Sequence, residues 1–195
     1  LAIRERVLGP EHPDTAQSLN NLGALLQAQG DLAGAQPYYE RALAICERIL
    51  GPQHPDTALS LNNLGSLLWA QGDLPGARPY YERALTIRER ALGPQHPDTA
   101  RSIAWFGYML QEQGDLAGAR SHFQRALAIR ERVLGPEYPD TARTLNNLGM
   151  LLQDMGDLAG ARLHFERALA ICQAKLGTNH PSTCAVRDNL AALPP

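Results

Sequence analysis

A repeat of 42 residues governs this chain. "LGP" recurs at Leu8, Leu50, Leu92 and Leu134, with "LGT" at Leu176, and "QGDL" or "MGDL" begins at 29, 71, 113 and 155. The "HPDTA" of His12, His54 and His96 keeps the same step, then drifts to "YPDTA" at Tyr138 and "HPSTC" at His180. Self-similarity at a fixed period of this length marks a repeat architecture, in which each unit is one supersecondary element that stacks on its neighbours.

Two helices can be read within a unit. "HPDTA" opens the first: Pro13 suits the opening turn, where its missing N–H has no partner to lose, and Asp14 complements the helix dipole. This helix runs to about Gln29, with Leu19, Leu22, Leu25 and Leu26 as an apolar stripe at spacings of three and four. Gly30 breaks it and Asp31 caps the second helix, whose apolar side is Ala35, Tyr39, Ala42, Leu43 and Ile45 and which ends near Gly51. Pro37 and Pro79 fall inside second helices, where each removes a backbone hydrogen bond, so a local kink is expected in the first two units. Neither helix can bury its stripe alone, and neighbouring units must therefore stack around a continuous core.

These helices resemble a known family. "LNNLGALLQAQGDLAGAQPYYERALAI" is similar to the tetratricopeptide pattern of Leu and Gly in the first helix, then Ala, an aromatic and Ala in the second, here Leu22, Gly23, Ala35, Tyr39 and Ala42. The usual period is about 34 residues. The longer unit here, with "HPDTA", "LNNLG" and "RALAIRERVLG", resembles the repeat of kinesin light chains and of many bacterial arrays. The resemblance implies an all-α, right-handed superhelical solenoid of antiparallel helix pairs over 1–195. Residues 1–9 would end a preceding second helix, and repeats would run about 10–51, 52–93, 94–135 and 136–177. Residues 178–195 would hold a terminal capping helix, with Arg187 and Asp188 in place of apolar and amide positions.

Composition fits a binding array better than other classes. A formal net charge of −2 lacks the basic excess of a nucleic-acid binder. No apolar run approaches the ~18 residues of a membrane-spanning helix. The chain opens at Leu1 without a Met and in mid-repeat, so a piece of a longer protein is expected, with no secretory leader. Cys46 and Cys172 share one repeat position and Cys184 replaces the Ala of "HPDTA"; small buried thiols in a reducing, cytoplasmic setting are expected.

Catalytic and cofactor motifs are absent by spacing. Lys175 is the only lysine, so no "GxxxxGK[ST]" exists, and "HExxH", "CxxC" and "GxSxG" are missing too. His12, His54 and His96 belong to separate helix starts, whereas a zinc site gathers three or four ligands at one point. His122 and His164 stand where Tyr38 and Tyr80 do, as packing or surface substitutions. No catalytic residue, metal or cofactor is expected.

The face of each first helix away from its leucines remains. In the first unit it presents Gln17, Asn20, Asn21, Ala24, Gln27 and Ala28 as one stripe. The resemblance implies that this stripe lines a concave groove that takes extended or helical peptides, which gives Asn20, Asn21, Asn62, Asn63, Asn146 and Asn147 as candidate contacts, with Asp188 and Asn189 at the end. Asparagine is a weak helix former, and its amide can serve a peptide backbone or bridge adjacent helices. The third unit breaks the pattern: "RSIAWFGYML" puts Ala104, Trp105 and Tyr108 on the stripe while Ile103, Phe106 and Gly107 keep the core positions. Trp69, Arg101 and Arg143 join it. Trp, Tyr and Arg dominate interface energetics, so these residues are read as the anchor of a peptide site; filling the space beside Ala104 is the alternative. Arg101 and Arg143 favour an acidic ligand, and Glu112 and Asp154 oppose it.

The chain is thus read as a non-enzymatic scaffold for a peptide or protein segment, with neither nucleic acid nor membrane as partner. The lysines with which tetratricopeptide co-chaperones hold a terminal carboxylate are replaced by Asn or Ala. Two alternatives stay open: a sensor array of a larger bacterial signalling ATPase, and a structural array that self-associates through its ends.

Overall fold

In the computed structural model, residues 1–194 are described, and among them the regular structure is helical: α1 (Ala2–Leu8), α2 (Pro13–Ala28), α3 (Leu32–Ile49), α4 (Pro55–Ala70), α5 (Leu74–Ala91), α6 (Pro97–Glu112), α7 (Leu116–Val133), α8 (Pro139–Asp154), α9 (Leu158–Leu176) and α10 (Pro181–Ala191). Pro195, the last residue of the expected terminal segment, lies outside the described residues.

The repeated motifs act as local fasteners. At each first-helix start the His12, His54, His96 or His180 Nδ1 accepts a hydrogen bond from the backbone N–H two residues on, at 3.1 Å. Tyr138 holds the same extended backbone but makes no such bond. The threonine of the motif ties the helix to the loop before it: Thr15, Thr57, Thr141 and Thr183 donate to the carbonyls of Gly9, Gly51, Gly135 and Gly177 at 2.7–2.9 Å. Between the helices of a pair, Gly30 turns the chain at φ 84°, a conformation that costs other residues a clash at Cβ. Asp31 Oδ1 then accepts from the Gly34 N–H at 2.8 Å, and Asp73, Asp115 and Asp157 repeat the cap.

The chain divides into two compact units, Leu1–Pro94 with α1 to α5 and a second from Gln95 with α6 to α10. In the first, Ala16 and Leu19 of α2 pack with Ala42, Ile45 and Cys46 of α3, while Ala35 and Tyr39 on the same α3 meet Leu64 and Leu67 of α4. Ala58 and Leu61 of α4 then close on Ala84 and Ile87 of α5. In the second, Ala142 and Leu145 of α8 pack with Ala168, Ile171 and Cys172 of α9 and Val186 of α10. Leu193, beyond α10, folds back on Leu152 and Phe165, and Arg162 Nη2 donates to the Pro194 carbonyl at 2.6 Å. The Tyr39, Tyr81, Phe123 and Phe165 rings are almost wholly buried. Each contributes about 1.5–3 kcal/mol by burial.

The second helices are not broken at their prolines, in keeping with an apolar stripe that continues past them: α3 and α5 run through Pro37 and Pro79 with the same 18-residue length as the proline-free α7, and each proline is exposed and forgoes one bond near the helix start. One expectation changes at this level. Leu25, read as part of the core stripe, is 53% exposed, whereas Leu67 at the same repeat position is wholly buried against α3. The helix before α2 is the seven-residue α1, which buries none of its residues.

Candidate functional site

The same notch recurs between consecutive first helices within each unit. Its walls come from those two helices, and its floor comes from the second helix between them. Between α2 and α4 the floor is Cys46 and the space about 90 Å³. Between α6 and α8 it is Arg130 and about 210 Å³, and between α8 and α10 it is Cys172 and about 390 Å³. Arg88 occupies the floor position at the end of α5 and is 1% exposed.

Polar rungs fill the first notch. Asn20 Nδ2 donates to Ser60 Oγ at 3.0 Å, Ser60 Oγ to the Cys46 thiol sulfur at 3.6 Å, and Asn63 Nδ2 to Asn20 Oδ1 at 3.1 Å. Gln27 continues the series, donating to Ser66 Oγ at 3.1 Å and accepting from the Tyr39 hydroxyl at 3.0 Å. The second unit repeats the rung where Asn189 Nδ2 donates to Asn146 Oδ1 at 2.9 Å. Asparagine thus bridges adjacent first helices, which accounts for a weak helix former in mid-helix.

The third unit departs from this. Ala104 offers no amide oxygen for Asn147, and the Asn147 amide hydrogen-bonds Tyr108 instead. The Tyr108 ring stands edge-on to Phe123 at 5.0 Å between centroids and lies 5.8 Å from Trp105. Burial raises the Tyr108 phenol pKa, opposed by Arg143, Arg130 and the Asn147 bond. Arg130 Nη1 donates to the Asp140 carbonyl at 3.2 Å and to Thr144 Oγ1. Arg4 makes the same pair of bonds to Asp14 and Ser18 at 2.7 and 3.0 Å, so the bridge to the next first helix belongs to the repeat. Burial above all, then Arg143, pushes the Arg130 guanidinium down to about 10, which leaves it a cation at neutral pH.

Arg101, Trp105, Tyr108, Arg143 and Asn147 therefore line one notch, together with Ala104 and Arg130. Arg101 and Arg143 stand at its rim, paired with Asp98 at 2.9 Å and Asp140 at 3.0 Å. The other candidates are spread out. Asn20, Asn62 and Asn147 are buried, Asn63 and Asn146 half-buried, and Asn21 exposed; Asn20, Asn21, Asn62, Asn63 and the half-buried Trp69 all belong to the first unit. Sequence reading missed Arg130, which sits in "AIRERVLG" like a solvated charge. The signal was its repeat column, Arg4, Cys46, Arg88, Arg130 and Cys172, which arginine shares with thiols read as buried.

Among the described residues no three His, Cys, Asp or Glu side chains gather to hold a metal ion, and no helix is long and apolar enough to cross a membrane.

Comparison with known proteins bears on the repeat itself. The sequence model of the tetratricopeptide repeat matches residues 1–47, 16–89, 62–104, 101–174 and 146–193. Among solved structures, the nearly identical TPR-like repeats of a candidate kinesin light chain from Podosopora anserina are 26% identical, with a TM-score of 0.76 over 92% of this chain and 85% of that one. BtubC (BKLC) from P. vanneervenii is 25% identical, with a TM-score of 0.82 over 98% of this chain and 76% of its own. No curated protein sequence matches the chain.

Proposed function

The chain belongs to the tetratricopeptide repeat family, a family of protein-interaction scaffolds, and from that membership we propose that it holds a segment of a partner polypeptide against its first helices. The observation that carries this reading is the convergence of Arg101, Trp105, Tyr108, Arg143 and Asn147 on one notch in the unit whose helix departs from the repeat pattern. Aromatic and arginine side chains around a partly desolvated hollow are the usual anchors of an interface. The reading makes the chain non-enzymatic and cytoplasmic, with its thiols reduced.

The test uses a peptide selected on the purified chain from a random linear-peptide library. Ala104→Asn with Trp105→Asn restores the neighbours' pattern and gives Asn147 the rung partner that Asn63 and Asn189 already have. The double variant is expected to melt like the parent and to lose at least ~2 kcal/mol of peptide affinity, the scale of a truncated hot spot. A variant that melts far lower yet binds equally well per folded molecule would show that Trp105 serves packing alone.

A further inference from the structure

Of the three notches, one carries arginine on both walls and on the floor. Equivalent wall positions hold Gln17 and Leu59 in the Cys46 notch, Arg101 and Arg143 in the Arg130 notch, and Arg143 and Ala185 in the Cys172 notch. The lining carboxylates run the other way. Asp14 and Asp56 line the Cys46 notch and Asp140 the Cys172 notch, while among the described residues no carboxylate lines the Arg130 notch.

Arg130 is 3% exposed, and its fork is only partly used. Nη1 serves the Asp140 carbonyl and Thr144 Oγ1. The Nε and Nη2 protons have no hydrogen-bond partner among the described residues, and neither nitrogen is shut off from solvent. Because Arg130 lines the hollow, that unused edge opens on it. The bridge to the next first helix does not itself require a buried cation, since Arg4 makes the same two bonds on an exposed side chain.

The floor is also net cationic in its surroundings. Burial is the main cause of the lowered Arg130 pKa, and repulsion from Arg143 comes next, ahead of the attraction of Asp140. Asp98 and Asp140 hold Arg101 and Arg143 as i,i+3 pairs on exposed side chains. Such pairs are weak in water, so both wall arginines can turn inward at little cost. A buried cation gains from an anion brought to it, because the attraction is stronger where water is excluded.

The shape of the charge favours one class of anion. A carboxylate is planar and is satisfied by one guanidinium fork. A phosphoryl group carries about two negative charges at neutral pH and three acceptor oxygens that point in different directions. It can take the Nε and Nη2 edge of one arginine side-on and still offer an oxygen to arginines on either hand. The space, about 210 Å³, is several times the ~30 Å³ share of one water and admits a tetrahedral oxyanion.

We propose that the Arg130 notch is a site for a phosphoryl dianion, either inorganic phosphate or the phosphate monoester of a small molecule. Arg130 holds it from the floor, and Arg101 and Arg143 close on it from the two walls. The site draws on the guanidiniums and not on the Trp105 and Tyr108 rings, so it stands or falls independently of the partner segment proposed above.

Calorimetric titration of the purified chain with inorganic phosphate, phenyl phosphate and acetate, at ionic strength matched with sodium chloride, tests it. Phosphate is expected to bind once per chain and at least tenfold more tightly than acetate. The tighter of inorganic phosphate and phenyl phosphate tells the free anion from the ester. Arg130→Cys, a change to the residue that the chain itself uses at Cys46 and Cys172, is expected to weaken phosphate at least tenfold, the scale of one charge-assisted hydrogen bond. Arg101→Gln and Arg143→Gln, on exposed side chains, are expected to melt like the parent and to weaken phosphate several-fold each, which keeps the test decisive if Arg130→Cys does not melt cooperatively. Phosphate that binds no better than acetate, or that binds the variants as it binds the parent, overturns the site and leaves the groove reading intact. A parent chain that takes phosphate but selects no peptide overturns the groove reading alone.

Discussion

At the scale of single residues, the glycine under each buried ring is a constraint on packing. A Cβ at Gly149 would stand 2.5 Å from Phe165 Cε1, where something must move, while at Gly107 it would stand 3.1 Å from Phe123 Cε1, which a few tenths of an ångström relieve. Gly149→Ala is therefore expected to destabilise by about 1–3 kcal/mol and Gly107→Ala by less, with Gly107→Leu reaching or passing the larger figure. Urea denaturation of the three variants gives the order, and equal midpoints for the two alanines would refute the packing. The importance of these glycines was legible in the sequence, because Gly23, Gly65, Gly107 and Gly149 keep one phase with the aromatics. The floor of the candidate site was not. Whether Arg130 faces water or the next first helix depends on a packing angle between helices that no spacing along one helix encodes. The asparagines show the same limit: their stripe was legible, yet the amides of Asn20 and Asn146 are spent on the next helix.

Helix ends carry the next level of information. They were the most legible part of the fold, since Pro13, Asp31 and the turn glycines each act on their own neighbours, and α2 and α3 begin and end within a residue or two of the expected points. The prolines inside α3 and α5 were harder to place. A single lost bond near a helix start weighs little against Tyr39 or Tyr81 buried on the same helix. The cap itself has a testable gap at α8. Tyr138 holds φ −81° and ψ 143°, close to the −75° and 144° of His96, but offers no acceptor to the helix N-terminus. Tyr138→His is expected to restore that bond and stabilise the protein by about 0.5–1 kcal/mol, raising Tm by roughly 1–4 °C. The reverse change at His54 is expected to cost a similar amount. Calorimetry on both variants measures the pair, and a Tyr138→His protein that melts lower than the parent would remove the cap from the account.

Across the molecule, burial is uneven in a way that sets local stability. α6 and α8 each bury nine residues, α2 five and α1 none. Amide hydrogen exchange read by mass spectrometry is expected to run fastest in α1 and slowest in α6 and α8, because local opening costs least where least is buried. Uniform protection from α1 to α8 would contradict that ranking. Each unit also carries its own fasteners in full, the turn glycine, the aspartate cap and, in most copies, the histidine and threonine at the first-helix start. The hydrogen bonds of these fasteners run among the loop, turn and helix-start residues, and none of them uses the side chain of Cys46, Arg130 or Cys172. Copying a unit thus reproduces the frame, and the column of Cys46, Arg88, Arg130 and Cys172 changes from copy to copy within it. A lineage of such arrays can vary that column by point mutation after duplication, without renegotiating the backbone each time.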